Sequence, residues 1–282
     1  MIAQQIGENL AFINWVVLAG LAVGCFAVVL VGRFADPPAT KGFLAFTSFS
    51  SAVFAVLAWL SDTGLPAATT AGSPVAPDPA FTPVRQAALL VLAIVALVDA
   101  IALLRSAGPP IARALAVAGA VASATAIVAG ALAWGDGMPG SLALVVQLAV
   151  LALATGGVFG AMVLGHWYLV TPKLPEAPLV RVSRLLLGLV AIQVALFVVS
   201  MALGGGVGAQ PFQPLVGPWA LFVWLRLLIG LVFPLVVSWA AIQTARTRSM
   251  ESATGLLYID VGAIAAGTIL AAGLYFGAGM FA

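Results

Sequence analysis

Charged side chains are scarce in this sequence. Only 7% of its 282 residues are Asp, Glu, Lys or Arg, whereas 63% are hydrophobic. A soluble domain carries about 25% charged residues. A chain so poor in charge cannot cover a water-facing surface, so a lipid bilayer must solvate most of it. The formal net charge is only +2 and no basic cluster or aromatic platform is present, so nucleic acid is not an expected partner.

Cysteine and histidine are nearly absent, each being represented once, by Cys25 and His166. One cysteine excludes an internal disulfide framework and any CxxC motif. One histidine excludes a His-rich metal site and a bis-histidine haem, so we expect no metal, and no haem from this chain alone. The GxSxG and HExxH motifs are missing too, which speaks against hydrolase chemistry and leaves no catalytic residue assigned.

What the sequence does contain is eight apolar runs of about the 20 residues that a spanning helix needs. We therefore predict an all-α, polytopic membrane protein. The first run lacks the basic flank of a signal peptide and is predicted to be retained as a helix. The runs are 11–32, 43–61, 86–104, 112–134, 141–165, 183–203, 217–241 and 256–277.

Lysine and arginine are distributed unequally between the connecting segments. Nine lie in alternate connections, and the opposite connections hold only Arg85. Because cytoplasmic loops are enriched in Lys and Arg, both termini are predicted to face the periplasm of a bacterial cell, with the chain in the inner membrane. The nine are Arg33, Lys41, Arg105, Arg113, Lys173, Arg181, Arg184, Arg246 and Arg248.

The two halves of the chain show similar spacing. A Gly-x-Phe-x5-Gly pattern begins at Gly24 and recurs at Gly157, and segment 127–135 resembles segment 269–277. This similarity predicts two parallel four-helix repeats related by a pseudo-twofold axis along the membrane normal. Chance matching among Ala, Gly and Leu is the alternative. The predicted units are residues 1–135 and 136–282.

Ionisable side chains inside a bilayer are costly and are therefore functional candidates. Asp99 and Asp260 each lie about five residues from one end of a predicted span, which at 1.5 Å per residue is about 8 Å inside. Each could be a proton or cation site, or an acceptor for a quinone headgroup. The alternative is a protonated or paired carboxylate that joins two helices.

Three further residues are proton or quinone candidates. Arg226 lies inside the seventh span, where it could bind an anionic or carbonyl-bearing headgroup or could snorkel to the interface. His166 ends the fifth span in the stretch His-Trp-Tyr, and either exchanges protons or anchors an interfacial aromatic belt. Tyr258, two residues before Asp260, completes the set.

The two longest connections on the other side of the membrane have no helical periodicity. Segment 62–83 is rich in Ala, Pro and Thr, and segment 204–217 has glycines but no charge. Its glycines do not form a phosphate loop, because no Gly-Lys-Ser or Gly-Lys-Thr follows them. We predict a flexible linker at 204–217. The alternatives are packing of Phe212 against a partner subunit and a position of the loop in the headgroup region.

Parts of the last two spans resemble the eight-helix membrane anchors of the dimethyl-sulfoxide-reductase and polysulfide-reductase (NrfD-like) type. The resemblance covers about 50 residues, among them Trp224-Leu225-Arg226 and segment 267–277. Thr268 and Ala272 stand where the family has Glu and Arg. The resemblance implies a quinone-linked integral subunit, without its own haem, that docks a periplasmic or membrane redox partner.

Three functions follow as hypotheses. The first is an integral subunit of a respiratory or photosynthetic electron-transfer complex, quinone-binding or purely scaffolding, with no catalysis of its own required. The second is a proton-coupled secondary transporter that uses intramembrane aspartates. The third is an accessory or assembly protein without chemistry. Pro234 is the one clear mid-span helix breaker in the sequence, and transporters commonly have broken helices.

Overall fold

The computed structural model describes residues 7–34, 38–67, 69, 73–171, 173–205 and 210–282. Within these residues, eight helices are long and apolar enough to cross a membrane, which confirms the all-α polytopic prediction. We number them α1 to α8 in chain order. They are α1 Leu10–Phe34, α2 Lys41–Thr63, α3 Thr82–Leu104, α4 Pro109–Trp134, α5 Gly137–Val170, α6 Ala177–Ala202, α7 Ala220–Arg246 and α8 Met250–Ala278.

Most helices are longer than the apolar runs that predicted them. Helix α5 has 34 residues, which at 1.5 Å per residue is about 50 Å and exceeds a hydrocarbon core of about 30 Å. Several of the extra turns, such as the start of α8, contain polar residues, which interrupt an apolar run although the helix continues. Helix ends coincide with Pro and Gly: α4 begins at Pro109, and α8 ends before Gly279 in the left-handed conformation.

Helices α1 and α5 lie at the centre of the molecule and pack against each other along much of their length. Around them, α1 to α4 pack in sequence order, and so do α5 to α8. Helix α8 also contacts α1, and α4 contacts α5, so exchanging the two sets of four helices reproduces the same neighbours. A parallel repeat would produce this arrangement. The division into residues 1–135 and 136–282 stays a prediction.

Glycine allows the close approach of α1 and α5. A Cβ atom at Gly24 would lie 2.3 Å from the carbonyl oxygen of Ala152 and 2.6 Å from the Cα atom of Gly156. No side chain fits there without moving backbone. Since lipid offers no hydrophobic drive for helix association, close packing of small residues must provide the contact between the two helices.

We call the face of the protein where α1 ends and α2 begins the basic face, and the other end of the helices the opposite face. Arg85, expected in a connection at the opposite face, lies instead in the first turns of α3 and forms a buried ion pair with Asp62 of α2. Its guanidinium is 4.7 Å from the ring centroid of Trp134 and 5.8 Å from that of Trp15. This cation is part of the packed interior.

The connections at the opposite face are partly packed. Val75 is buried, the N–H of Asp78 donates to the carbonyl of Ala133 over 2.7 Å, and a 3-10 turn at Pro79–Phe81 leads into α3. Of the predicted linker 204–217, residues 206–209 lie outside the described residues. Its described part includes the 3-10 turn Gln213–Leu215, and Phe212 there is half exposed.

Candidate ligand-binding cleft

A break in α7 creates the site that we consider the best functional candidate. The helix runs regularly over Ala220–Leu227, passes through one π turn over Leu228–Val232, and continues as Phe233–Arg246. Pro234 has no N–H to give to the carbonyl of Gly230, four residues earlier. Single π turns of this kind are frequent at functional sites.

Arg226 satisfies the carbonyl that Pro234 leaves free. Its Nη1 donates to the oxygen of Gly230 over 3.0 Å, and its Nη2 donates to Oε1 of Gln193 in α6 over 2.6 Å. Arg226 is only 2% exposed, so it does not snorkel to the interface. Among the described residues, no carboxylate lies within ion-pairing distance of it, and its Nε has no hydrogen-bond partner.

The guanidinium of Arg226 lines an apolar cleft of about 550 Å³. The walls come from the first half of α5, the second half of α6 and the chain after α8, so the cleft lies toward the opposite face. Gln147 and Gln193 are the amides in its lining. Apolar wall residues include Ala143, Val146, Val150, Leu196, Val199 and Leu203.

Gln147 is a second incompletely satisfied group in the cleft. Its Nε2 donates to an oxygen of Ala282 over 3.3 Å, while its Oε1 is buried and has no partner within the described part of the chain. A buried polar group without a partner costs about 1–3 kcal/mol. Two residues of the cleft lining, Arg226 and Gln147, therefore each keep one buried polar atom without a partner among the described residues, Nε in Arg226 and Oε1 in Gln147.

Two glycines fix the position of Arg226 against α8. A Cβ atom at Gly267 would lie 2.7 Å from Nη1 of Arg226 and 2.7 Å from the Cα atom of Gly230. The backbones of α7 and α8 are thus in contact where the guanidinium lies. The next residue, Thr268, shares a hydrogen bond of 2.8 Å with Thr155 of α5.

Asp99 is fully engaged, on the other side of the membrane from the cleft. Both of its oxygens accept from Nη2 of Arg33 at 2.6 and 2.7 Å, and Oδ2 also accepts from Ser48 over 3.2 Å. Arg33 further donates to the carbonyl of Ala112. This cluster joins α1, α2, α3 and α4, which is the pairing alternative from the sequence. Both oxygens of Asp99 thus have partners within the protein.

Asp260, in contrast to Asp99, has one carboxylate oxygen without a hydrogen-bond partner among the described residues. It is fully buried, its Oδ2 accepts from the hydroxyl of Ser238 in α7 over 2.5 Å, and its Oδ1 has no partner among the described residues. Tyr258 is half exposed on the outside of α8 and does not contact Asp260 through any hydrogen bond in the described chain. Of these two, Asp260 alone lies in the interior.

His166 lies at the basic face with an exposed side chain. Its neighbours serve packing: the ring of Trp167 covers Gly42, and the hydroxyl of Tyr168 donates to the carbonyl of Pro175 over 2.5 Å. No hydrogen bond or ion pair within the described residues connects His166 with Asp99 or Asp260. The described contacts therefore do not assemble these three residues into one site.

The sequence analysis missed Gln147 and Gln193. Neither is ionisable, so neither is conspicuous in an apolar run, although an amide inside a span is itself costly to bury. Their relation to Arg226 depends on how α5, α6 and α7 pack, which the sequence does not state.

Comparisons with protein-family models, curated proteins and solved structures found no match to this chain. The resemblance to reductase anchors therefore stays a prediction. The class of protein that the structure supports is a multi-pass α-helical membrane protein, and its function has to be argued from the cleft.

Proposed function

We propose that this chain is an integral membrane subunit of an electron-transfer complex and that it binds a quinone in the cleft at Arg226. The observation that carries the proposal is a buried guanidinium with an unused N–H in the lining of an apolar cleft of about 550 Å³. A quinone combines a carbonyl acceptor with an isoprenoid tail. These are the two properties that the free donor and the apolar walls select.

The depth of Arg226 favours a quinone over a phospholipid as the occupant. Arg226 lies six residues inside α7, which is about 9 Å along the helix axis. A phospholipid phosphate stays at the headgroup level, whereas a quinone ring can enter the hydrocarbon region. A reduced quinone would in addition present a hydroxyl donor, for which Oε1 of Gln147 is a free acceptor.

The cellular setting belongs to the same proposal. We place the protein in a bacterial inner membrane with both termini on the periplasmic side, so that the cleft opens toward the periplasmic leaflet. The chain supplies no redox centre of its own in this scheme. A redox partner, membrane-bound or periplasmic, exchanges electrons with the quinone, and residues of this chain position the headgroup.

Quinone titration tests the site directly. We expect Arg226→Gln to bind a short-tailed benzoquinone analogue roughly 10- to 100-fold more weakly than the parent, because a hydrogen bond to a charged donor contributes about 1.5–3 kcal/mol. Quenching of tryptophan fluorescence in detergent reports the binding. Arg105→Gln is the control, since it removes the same charge from an exposed position that lines neither the cleft nor another pocket described here. Equal affinity in both variants would refute the site.

Purification of the chain with its native lipids and partners tests the wider proposal. An absorption spectrum and lipid extraction should show a copurifying quinone together with a cofactor-bearing redox chain. Isolation of the chain without quinone and without any redox partner would count against an electron-transfer role. A redox partner present without quinone would leave only the scaffolding version.

A second function, a proton-coupled secondary transporter, is favoured by two observations. Asp260 is buried with one oxygen unused, and α7 is interrupted beside it by a π turn and Pro234. Proton-driven solute uptake in liposomes, abolished by Asp260→Asn and unaffected by Tyr258→Phe, would establish this function. Unchanged behaviour after joint replacement of His166, Asp99 and Asp260 would instead indicate an accessory protein without chemistry.

A further inference from the structure

A second pocket, independent of the quinone cleft, lies at the basic face between the start of α6 and the end of α7. It has a volume of about 490 Å³, and three guanidinium groups line it, from Arg181, Arg184 and Arg246. The single carboxylate in the lining belongs to Glu176. We call this pocket the arginine pocket.

Two of the three cations of the arginine pocket have no partner within the described residues. Glu176 already forms an ion pair with Arg248, with a distance of 3.3 Å between Oε2 and Nη1. Arg184 and Arg246 are exposed and have no ion-pair or hydrogen-bond partner within the described residues. Two cations from two different helices are therefore available to one anion.

The remaining lining is apolar and adjoins the lipid-facing surface. Val180 and Leu185 line the pocket beside the arginines, and Leu185 is half exposed. The outer surfaces of α6 and α7 continue this apolar strip with exposed residues toward the middle of the membrane. The strip includes Ile192, Val236 and Trp239. An occupant that combines an anionic group with hydrocarbon chains fits both parts.

We propose that the arginine pocket binds the phosphate of an anionic phospholipid from the leaflet on the basic face. The bidentate geometry of guanidinium suits a phosphate, and basic pockets between transmembrane helices are a recurrent site for such headgroups. The acyl chains lie along the apolar outer surface of α6 and α7. The lipid links the end of α7 to the start of α6.

Lipid titration followed by native mass spectrometry tests this site. The purified full chain is mixed with phosphatidylglycerol in detergent, and the lipid-bound fraction is measured against lipid concentration. For R184Q/R246Q we expect the tightest binding step to weaken roughly 25-fold, because each arginine near an anionic lipid contributes about 1 kcal/mol. R184K/R246K should recover most of the charge attraction and lack the bidentate contact.

The matched control is R105Q/R113Q, which removes two exposed arginines from the same face but outside the pocket. It should keep the tight step, and equal weakening in both double variants would reduce the effect to general surface charge and overturn the proposal. Inorganic phosphate and phosphatidylcholine are the other probes. If inorganic phosphate competes for the pocket as well as phosphatidylglycerol does, the pocket binds a free anion. If phosphatidylcholine binds as tightly as phosphatidylglycerol, the arginines do not select an anionic lipid. Both results contradict the assignment.

Discussion

The charged side chains of this protein differ in how deeply they are buried and in which partners they have. Arg33 forms an ion pair with the buried Asp99, Arg226 is buried with no carboxylate partner among the described residues, and Glu176 with Arg248 forms an exposed pair, whose side chains are 43% and 58% accessible. In a low-dielectric interior, removing one member of a buried pair leaves an uncompensated charge, whereas an exposed pair contributes little. The same residue types therefore carry different energies according to depth.

The Arg33–Asp99 pair gives an asymmetric prediction. Arg33→Gln should lower the free energy of unfolding by about 3–5 kcal/mol, because it strands a fully buried carboxylate. Asp99→Asn should cost less, since Arg33 is one residue from the end of α1 and can turn toward the headgroups. The double variant should be more stable than Arg33→Gln alone. Unfolding in mixed detergent micelles, followed by circular dichroism, measures all three.

Glu176→Gln is the control for this series and should change stability by less than about 1 kcal/mol. Equal costs for the three variants Arg33→Gln, Asp99→Asn and Glu176→Gln would show that burial does not set the energy of these pairs.

The sequence predicted which ionisable residues lie inside the spans, but it did not predict their partners. The scarcity of ionisable residues was enough to single out Asp99, Asp260 and Arg226 as residues inside predicted spans, and all three are buried, although snorkelling was one prediction for Arg226. Their partners were not predictable, because Arg33 and Asp99 are 66 residues apart and belong to helices whose neighbours only the fold determines. Arg85 was placed in a connection for the same reason: its partner Asp62 lies at the end of another span.

At the scale of the helix, α7 shows how a local break creates a site. Pro234 was visible in the sequence as a breaker, but the π turn before it and the capture of the Gly230 carbonyl by Arg226 were not. From the position of a proline one can predict only that one backbone N–H donor is missing. Which donor replaces it depends on the packing of α7 against α6 and α8.

A substitution that adds one methyl group at Gly267 tests whether the close contact between α7 and α8 is needed for stability. Gly267→Ala should destabilise the protein by about 1–3 kcal/mol, because the new Cβ atom would overlap Gly230 and the guanidinium of Arg226. It should also weaken quinone binding by displacing Arg226. Thermal unfolding and the fluorescence titration measure the two effects.

Gly262→Ala, in the same helix, is the matched control, since no atom outside its own backbone neighbourhood lies within 4 Å of the added Cβ atom. It should be neutral or stabilising by up to about 1 kcal/mol, because alanine is the better helix former. Similar losses in both variants would mean that helix propensity, not the close approach, controls this region.

For the whole molecule, the number and order of the helices followed from hydropathy, whereas the central position of α1 and α5 did not. The similar spacing around Gly24 and Gly157 pointed to a relation between these two helices. It did not show that Gly24 touches Gly156, the neighbour of its matched residue. Contacts between helices more than 100 residues apart are set by tertiary packing, which periodicity does not encode.

The orientation of the protein in the membrane determines which leaflet the Arg226 cleft opens to. With nine Lys and Arg residues at the basic face, that face should be cytoplasmic, so the Arg226 cleft opens to the periplasmic leaflet and the arginine pocket to the cytoplasmic one. Cys25 is buried, so the parent chain provides a silent background for cysteine labelling. In intact bacterial cells, a membrane-impermeant maleimide should label Thr63→Cys at the opposite face. It should label Thr247→Cys at the basic face only after the membrane is opened. The reverse pattern would invert both leaflets and place the quinone headgroup beside the cytoplasm, where a periplasmic redox partner could not reach it.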